Sequence, residues 1–498
     1  MHKNDLIELL SALRGDERKR LRVFLETADP LRPVAVADAV RMVEYIFEKL
    51  GEEGDASLLS KSVAYEHIFP EKDFVANKLE KGMSDTLQWV RKFIAFESAG
   101  TRMTDLQQAF YLQKFYNERR LEKKFQQSRT QISKMKNLHQ KWSPQDYYFQ
   151  FLSEAEEMAF KSARNLIKDD LNLWNAIQAL DEYYLVERLW HTCILLNQNQ
   201  LVPLALPPMN DWLLFDLASP QLSWFFEKPI GQLFVQTIEL LSNEPDNNEQ
   251  RLRNFIALLS KFETQIWKDH LSSFEIFACN YGIRHLNKSK PEYAEPVFLL
   301  QKRRVESGRI YLEGKIKASE FQSIVAHGLR LGELDWIKQF IENHRDKVLG
   351  SMHSEDYFQF NLANYLFHTR DYEPALKTLL TSTYEDMHYK VSAKILEIKI
   401  LWEMSRRAEA DNHVAEFLEN KVEAAILFFF RLKEVPSSKK KMGKCFADTM
   451  RRIIHAEAKR DVARLEVILQ DIHKAELIAE RQWLRALVEN LLAQHKKP

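Results

Sequence analysis

The chain of 498 residues is neutral overall, because 71 lysines and arginines balance 71 aspartates and glutamates. This balance gives no bulk attraction to nucleic acid or to an anionic membrane. Glycine and proline are scarce, at 13 and 15 residues, whereas apolar side chains make up 45% of the sequence. The composition therefore excludes a disordered or fibrous chain and disfavours a turn-rich barrel or sandwich. The length suits about three ordinary domains or one extended repeat array.

Cysteine usage and the shortness of the apolar segments predict a cytoplasmic protein. Cys193, Cys279 and Cys445 lie far apart and form no CxxC pair, so we expect neither a disulfide framework nor a cysteine-based zinc site. Residues 1–20 carry acids among their apolar positions, unlike a secretory signal. The most apolar run, 424–430, is far shorter than the ~20 residues that cross a bilayer. We therefore expect no membrane insertion.

Helical periodicity dominates the first 320 residues. Residues 1–100 are interpreted as a small N-terminal helical region with a turn-rich interior. Residues 101–320 are predicted to form helical hairpins. Within them, 201–229 contains five prolines and an aromatic cluster, and we expect an ordered connection packed on the helices. The segment 309–316 (RIYLEGKI) is the only place where we expect a short strand pair.

Two basic stretches are candidates for binding phosphate groups. The first, 119–141, holds eight lysines or arginines and one acid. If it forms one helix, six cations lie within an arc of about 140°; they are Arg119, Arg120, Lys123, Lys124, Lys134 and Lys141. The second, 431–460, holds ten basic and three acidic residues around PSSKKKMGK at 436–444. The competing interpretation is a solvated helix face and a mobile basic loop.

The segment 321–420 repeats a pattern of paired amphipathic helices. Within each repeat, apolar residues recur at spacings of three and four and are interrupted once by a polar turn. Ile337, Ala375 and Ala410 occupy the equivalent place in successive repeats, 38 and 35 residues apart. Two helices per unit at a period of about 34 residues are typical of a tetratricopeptide-type solenoid. Residues 421–498 are predicted to add C-terminal helices.

Residues 357–382 resemble one unit of the tetratricopeptide repeat family. The matching residues are Ala363, at the small position of the first helix, and Asp371, Tyr372, Ala375 and Leu376 around the turn. Gln359 and Ser382 depart from the family pattern. The whole chain is also similar to a group of bacterial helical-repeat proteins, on the segments 180–197, 321–343 and 481–487. That second likeness implies no activity.

The tetratricopeptide resemblance implies a concave groove lined by the first helix of the unit. The residues that would face it are Tyr357, Phe360, Asn364, Phe367 and His368. Asn364 matches the place where some family members bind a peptide carboxylate. Phe360 stands where those members carry a basic residue, so the match at this position is partial.

Catalytic and cofactor-binding motifs are missing from the sequence. It contains no G-x-S-x-G for a nucleophile, no G-x-x-x-x-G-K-[ST] or G-x-G-x-x-G for phosphates and no H-E-x-x-H for zinc. We therefore expect no catalytic residue, no cofactor and no metal site.

The expected function is a non-catalytic protein–protein interaction scaffold or adaptor that holds a protein or peptide partner in a helical-repeat groove. The alternative is a nucleic-acid-binding regulator that uses 119–141 and 431–460. A third hypothesis places an undetected enzyme in residues 1–100. These hypotheses differ in where the partner or substrate binds.

Overall fold

A computed structural model of the chain shows an all-α protein, which confirms that prediction. It describes residues 5–53, 61–70, 74–100, 104–138, 141–164, 170–202, 204–212, 216–217, 219–242, 249–288, 290–406, 412–432 and 437–495. The first helices are α1 (Asp5–Ala12), α2 (Gly15–Glu26), α3 (Pro33–Glu53), α4 (Lys61–Ile68), α5 (Ala76–Gly100), α6 (Asp105–Glu118), α7 (Glu122–Leu138), α8 (Pro144–Ala163) and α9 (Leu173–Leu201).

The remaining elements are helices, apart from two short strands. They are α10 (Met209–Trp212), α11 (Ser223–Phe226), α12 (Pro229–Leu241), α13 (Glu249–Phe262), α14 (Lys268–Asn287), α15 (Ala294–Glu306), β1 (Ile316–Lys317), α16 (Ala318–Leu331), α17 (Leu334–Asn343), β2 (Val348–Leu349), α18 (Ser354–His368), α19 (Tyr372–Leu379), α20 (Met387–Ser405), α21 (Asn412–Arg431), α22 (Ser437–Ala458), α23 (Val462–Lys474) and α24 (Arg481–His495).

The chain divides into two compact units. The first comprises Met1–His139 and Gln145–Leu180, and the second comprises Gln140–Pro144 and Asp181–Pro498. Among the helices over the described ranges, none combines the length and the apolar character that a bilayer crossing needs.

In the first unit, helix α3 organises a small core. It contacts α1, α2, α4 and α5. The apolar residues that meet there are fully or almost fully buried; examples are Leu6, Leu21, Ile46, Tyr65 and Phe93. Burying each such side chain stabilises the fold by roughly 1.5–3 kcal/mol. The predicted N-terminal helical region therefore has a core built from its own residues.

In the second unit, each helix from α12 to α24 contacts the next helix along the chain. Helix α16 also contacts α18, α18 contacts α20, and α20 contacts α22. One core extends from Phe298 to Ile400 and another from Val391 to Leu492. Helix α20 contributes to both cores, because its buried residues are distributed over several sides of the helix.

Glycine sets the geometry of the α16–α17 turn. A Cβ added to Gly328 would lie 2.4 Å from a side-chain carbon of Ile337, so the two helices approach closely there. Gly332 has a φ of 76° and ends α16 in the left-handed region, which glycine adopts at no steric cost. The amide of Glu333 donates to the carbonyl of Gly328 at 3.0 Å, which closes the turn.

The strand prediction for 309–316 requires correction. Leu312 and Lys315 form a single antiparallel bridge around a tight turn at Gly314, whose φ is 77°. Ile316 begins β1, but its partner is β2, which pairs with it in parallel through Ile316–Val348 and Lys317–Leu349. A turn of this length leaves no room for two strands, so the second strand comes from a segment that the local pattern did not indicate.

The connection 201–229 contains the short helices α10 and α11 over its described part. Phe225 is fully buried, and α12 packs closely on its backbone, since a Cβ on Gly231 would collide with the Phe225 carbonyl. The connection is thus packed on a helix at this point. Residues 203, 213–215 and 218 lie outside the described ranges.

Candidate functional site

The candidate site is an open cavity of about 500 Å³ in the second unit. Four neighbouring segments form its walls: the C-terminal end of α15, the turn after it, helix α17 and the loop before β2. The main lining residues are Glu306, Tyr311, Trp336, Phe340, His344 and Lys347. A cavity of this size suits a small ligand or a few side chains of a bound peptide.

Aromatic rings form the apolar part of the cavity. Trp336 and Phe340 are one helical turn apart on α17, so their rings stack, with centroids 5.1 Å apart and planes 10° apart. Phe298 of α15 meets Trp336 edge-on at 5.5 Å, and the Lys302 ammonium lies 5.4 Å from the centroid of the Trp336 ring. Trp336 remains partly exposed, which leaves an aromatic surface open to a ligand.

Tyr311 and His344 form a fixed polar pair beside these rings. The Nδ1 of His344 lies 2.6 Å from the Phe340 carbonyl, and Nε2 lies 2.8 Å from the Tyr311 hydroxyl. A carbonyl only accepts, so we assign Nδ1 as the donor and Nε2 as the acceptor from Tyr311. Burial lowers the pKa of His344 and raises the pKa of Tyr311, so both side chains are neutral near pH 7.

A buried ion pair anchors the turn that carries Tyr311. The guanidinium of Arg309 donates to both carboxylate oxygens of Glu275, at 2.9 and 2.7 Å, and also to Glu263 at 2.6 Å. Glu275 is fully buried, and Arg303 donates to Glu263 at 2.7 Å. Bidentate arginine–carboxylate pairs have a restricted geometry, so this wall of the cavity is held in place before any ligand binds.

The rim of the cavity is polar and carries both negatively and positively charged side chains. Glu306 and Lys347 are exposed on different walls, and the amides of Gln339 and Asn343 are exposed on α17. Amides both donate and accept hydrogen bonds. The site therefore combines an apolar floor with groups able to orient a polar backbone.

The five predicted groove residues do not lie on one open surface. The structure corrects this expectation for Tyr357, Phe360 and Phe367, which are buried in the core. The ring of Tyr389 on α20 lies 4.8 Å from Tyr357 and 5.0 Å from Phe360, so α20 covers them. Asn364 is partly exposed and His368 is exposed.

The chain itself covers the area beside His368. The ammonium of Lys399 on α20 lies 4.8 Å from the Phe367 ring and 5.6 Å from the Trp483 ring of α24. It also pairs with the Glu480 carboxylate at 2.7 Å. The start of α24 thus lies over the end of α18, and that area is no open groove.

The basic stretch 119–141 is not one helix. Helix α6 ends before Arg119, Arg120 has a φ of 56°, and α7 begins at Glu122. The amide of Leu121 donates to the Tyr116 carbonyl at 2.8 Å, a bond that closes a helix end and reverses the chain. Only three of the six cations lie on α7, but all six are exposed; α7 carries Lys123, Lys124 and Lys134.

The lysine-rich part of the second stretch is helical where it is described. Residues 437–444 form the first two turns of α22, which corrects the expectation of a mobile loop there. Gly443 explains the close packing, since a Cβ there would lie 2.6 Å from the Phe429 ring of α21. Residues 433–436 lie outside the described ranges, as do residues 407–411 with the predicted repeat position Ala410.

Sequence reasoning missed the cavity residues Tyr311, Trp336 and His344. The periodicity of α17 indicated a helix around Trp336 but no unoccupied space beside it. Tyr311 and His344 are 33 residues apart in the sequence, and they meet in the folded chain beside the β1–β2 pair.

The chain matches no protein-family model, no curated protein and no solved structure. Within the described residues, no group of three His, Cys, Asp or Glu side chains is placed to hold a metal ion. Functional inference therefore depends on the geometry of the cavity and of the exposed surfaces.

Proposed function

We propose that this protein is a non-catalytic scaffold that binds a peptide segment of a partner protein in the cavity beside α17. The observation that carries the proposal is the partly exposed Trp336 ring, stacked on the buried Phe340 ring at the floor of a cavity of about 500 Å³. Aromatic anchors in pockets dominate the energetics of protein interfaces. The exposed amides of Gln339 and Asn343 would bind the partner's backbone.

Recognition suits this site better than proton transfer. Both ring nitrogens of His344 are already hydrogen-bonded, to Phe340 and to Tyr311. A general base needs a free nitrogen within hydrogen-bond reach of the substrate. The pair instead fixes the shape of the wall, and a rigid site loses less entropy when a ligand binds.

We also propose that α16–α20 stack as tetratricopeptide-like pairs. The supporting features are the contacts from α16 to α18 and from α18 to α20, and the small residues Gly328 and Ala363, which are 35 residues apart. Both small residues are buried at helix contacts. In such a stack, neighbouring pairs cover each other's apolar faces.

The test is selection of peptides on the full-length chain, followed by titration of variants. We expect the selected peptides to carry an aromatic or large aliphatic residue. Trp336→Ala should weaken their binding about 30-fold, which corresponds to a hot spot of ~2 kcal/mol. Phe430→Ala removes a more exposed ring, 67% accessible, from α21 and is the control, with unchanged binding.

The proposal is wrong if every selected peptide binds Trp336→Ala as tightly as the wild type. Circular dichroism and thermal melting of both variants show whether any loss of binding reflects the site or the fold. Peptides that bind Trp336→Ala and the wild type with equal affinity would use a different surface of the protein.

A further inference from the structure

Helix α6 of the first unit exposes an aromatic face that its own unit leaves uncovered. Tyr111 is 49% exposed and Phe115 is 47% exposed, with Leu112 between them. The opposite face is buried through Leu106, Phe110 and Gln113, so the helix already has a core-facing side. Two rings one turn apart on the outer side therefore form an available surface for stacking.

Cations surround one end of this aromatic face. Arg119 lies 5.7 Å from the centroid of the Phe115 ring, and Arg120 follows it in the chain reversal. Lys123 and Lys124 are exposed on the first turn of α7. The sharp turn at Arg120 is what brings these four cations to the same end of the α6–α7 hairpin as Phe115.

The acids near this end reduce the positive charge only in part. Glu122 pairs with Arg164 at 2.9 Å, so its charge is already compensated. Glu118 is exposed on the last turn of α6. Of the described residues, the four exposed cations thus lie against Glu118 and the partly exposed Glu156, which accepts from the Asn117 side chain.

We propose that this surface, formed by Tyr111, Phe115, Arg119, Arg120, Lys123 and Lys124, binds single-stranded nucleic acid. Exposed rings next to cations provide the two interactions that such binding needs, base stacking and phosphate contact. A duplex offers its phosphates but keeps its bases stacked on each other, so it would use only the cations. Single strands are therefore the favoured ligand.

The test uses the full-length chain and a fluorescent 20-nucleotide oligo(dT), with binding followed by anisotropy. Four phosphate contacts predict that log K falls with log salt with a slope of about −2.8. Affinity should therefore fall about 50-fold between about 50 and 200 mM salt. Binding to a duplex of the same length and to a polyglutamate peptide should be weaker than binding to oligo(dT).

Two variants separate stacking from charge. Phe115→Ala should weaken oligo(dT) binding about tenfold without changing the salt slope. Lys123→Gln with Lys124→Gln should lower the slope to about −1.4. The matched control is Lys338→Gln with Lys377→Gln, which removes two exposed lysines of the second unit and should leave the slope unchanged.

Three results would overturn the proposal: no oligo(dT) binding at about 50 mM salt, unchanged affinity of Phe115→Ala, or equal binding of polyglutamate. The second result together with equal duplex binding would indicate a simple phosphate-binding surface. This site does not depend on the cavity beside α17. Trp336→Ala should bind oligo(dT) as the wild type does, so failure of one proposal leaves the other intact.

Discussion

Helices α17 and α18 lie in successive helix pairs, yet their aromatic residues have different surroundings. Trp336 of α17 borders an open cavity, and Phe298 of α15 meets its ring edge-on. Tyr357 of α18 is fully buried, because α20 places Tyr389 against it. The comparison shows that the exposure of an aromatic side chain on a helix depends on the segment that packs opposite it. The apolar pattern of the helix itself does not determine that exposure.

The strongest test of this comparison is removal of the buried ring. Tyr357→Ala should lower the free energy of unfolding by about 3–5 kcal/mol, because it leaves a large cavity in a close-packed core. Thermal and urea unfolding measure the loss. Tyr357→Phe is the control; it removes only the hydroxyl that accepts from the Met352 amide at 3.1 Å and should cost about 1 kcal/mol. A loss below ~1 kcal/mol for Tyr357→Ala would contradict the assignment of this ring to the core.

Breaking the anchor of the cavity wall should have the next largest effect. Arg309→Met leaves the buried Glu275 with the more distant Arg303, 3.6 Å away, and should cost about 3 kcal/mol of unfolding free energy. Adding Glu275→Met in the same chain should recover most of that loss, because no buried charge then lacks its partner. If the double variant is no more stable than Arg309→Met, the Arg309–Glu275 ion pair does not anchor this wall of the cavity.

Acid should destabilise the cavity region of the second unit. Burial lowers the pKa of His344 and lowers the pKa of His327 to about 4. In the unfolded chain both rings bind protons near pH 6.5. Below that pH the unfolded chain holds more protons, so stability is full above pH ~6.5 and is lost progressively as the pH falls towards 4.

Melting temperatures between pH 7.5 and 4.5 measure this loss. His344→Gln cannot titrate and should show a smaller drop across that range, although it starts from a lower value at pH 7.5. His191→Gln removes an exposed imidazole of α9 and is the matched control. A drop for His344→Gln as large as that of the wild type would exclude His344 as a contributor.

Much of the helical architecture could be predicted because its signal is local. Apolar spacings of three and four indicated the paired helices of 321–420. The helix break at Arg120 was not predicted, because a residue other than glycine in the left-handed backbone conformation has no recognisable sequence signal. The cavity was missed because its rings belong to segments that meet only in the folded chain.

The smallest expected effect concerns the contact that covers the end of α18. The side chain of Lys399 is 8% exposed, whereas that of Glu480 is 40% exposed, so solvent screens the pair from one side. Glu480→Gln should therefore cost no more than about 1 kcal/mol. Lys399 keeps its place between the Phe367 and Trp483 rings in that variant.

A double-mutant cycle with Lys399→Met isolates the interaction of this pair. A coupling energy of about 0.5–1 kcal/mol is expected for a pair that is exposed on one side. Coupling above ~3 kcal/mol would mean that the carboxylate is effectively buried. The start of α24 would then exclude solvent from the end of α18, as Tyr389 excludes it from Tyr357. Of the two regions, the one beside α17 would then be the region with an open cavity.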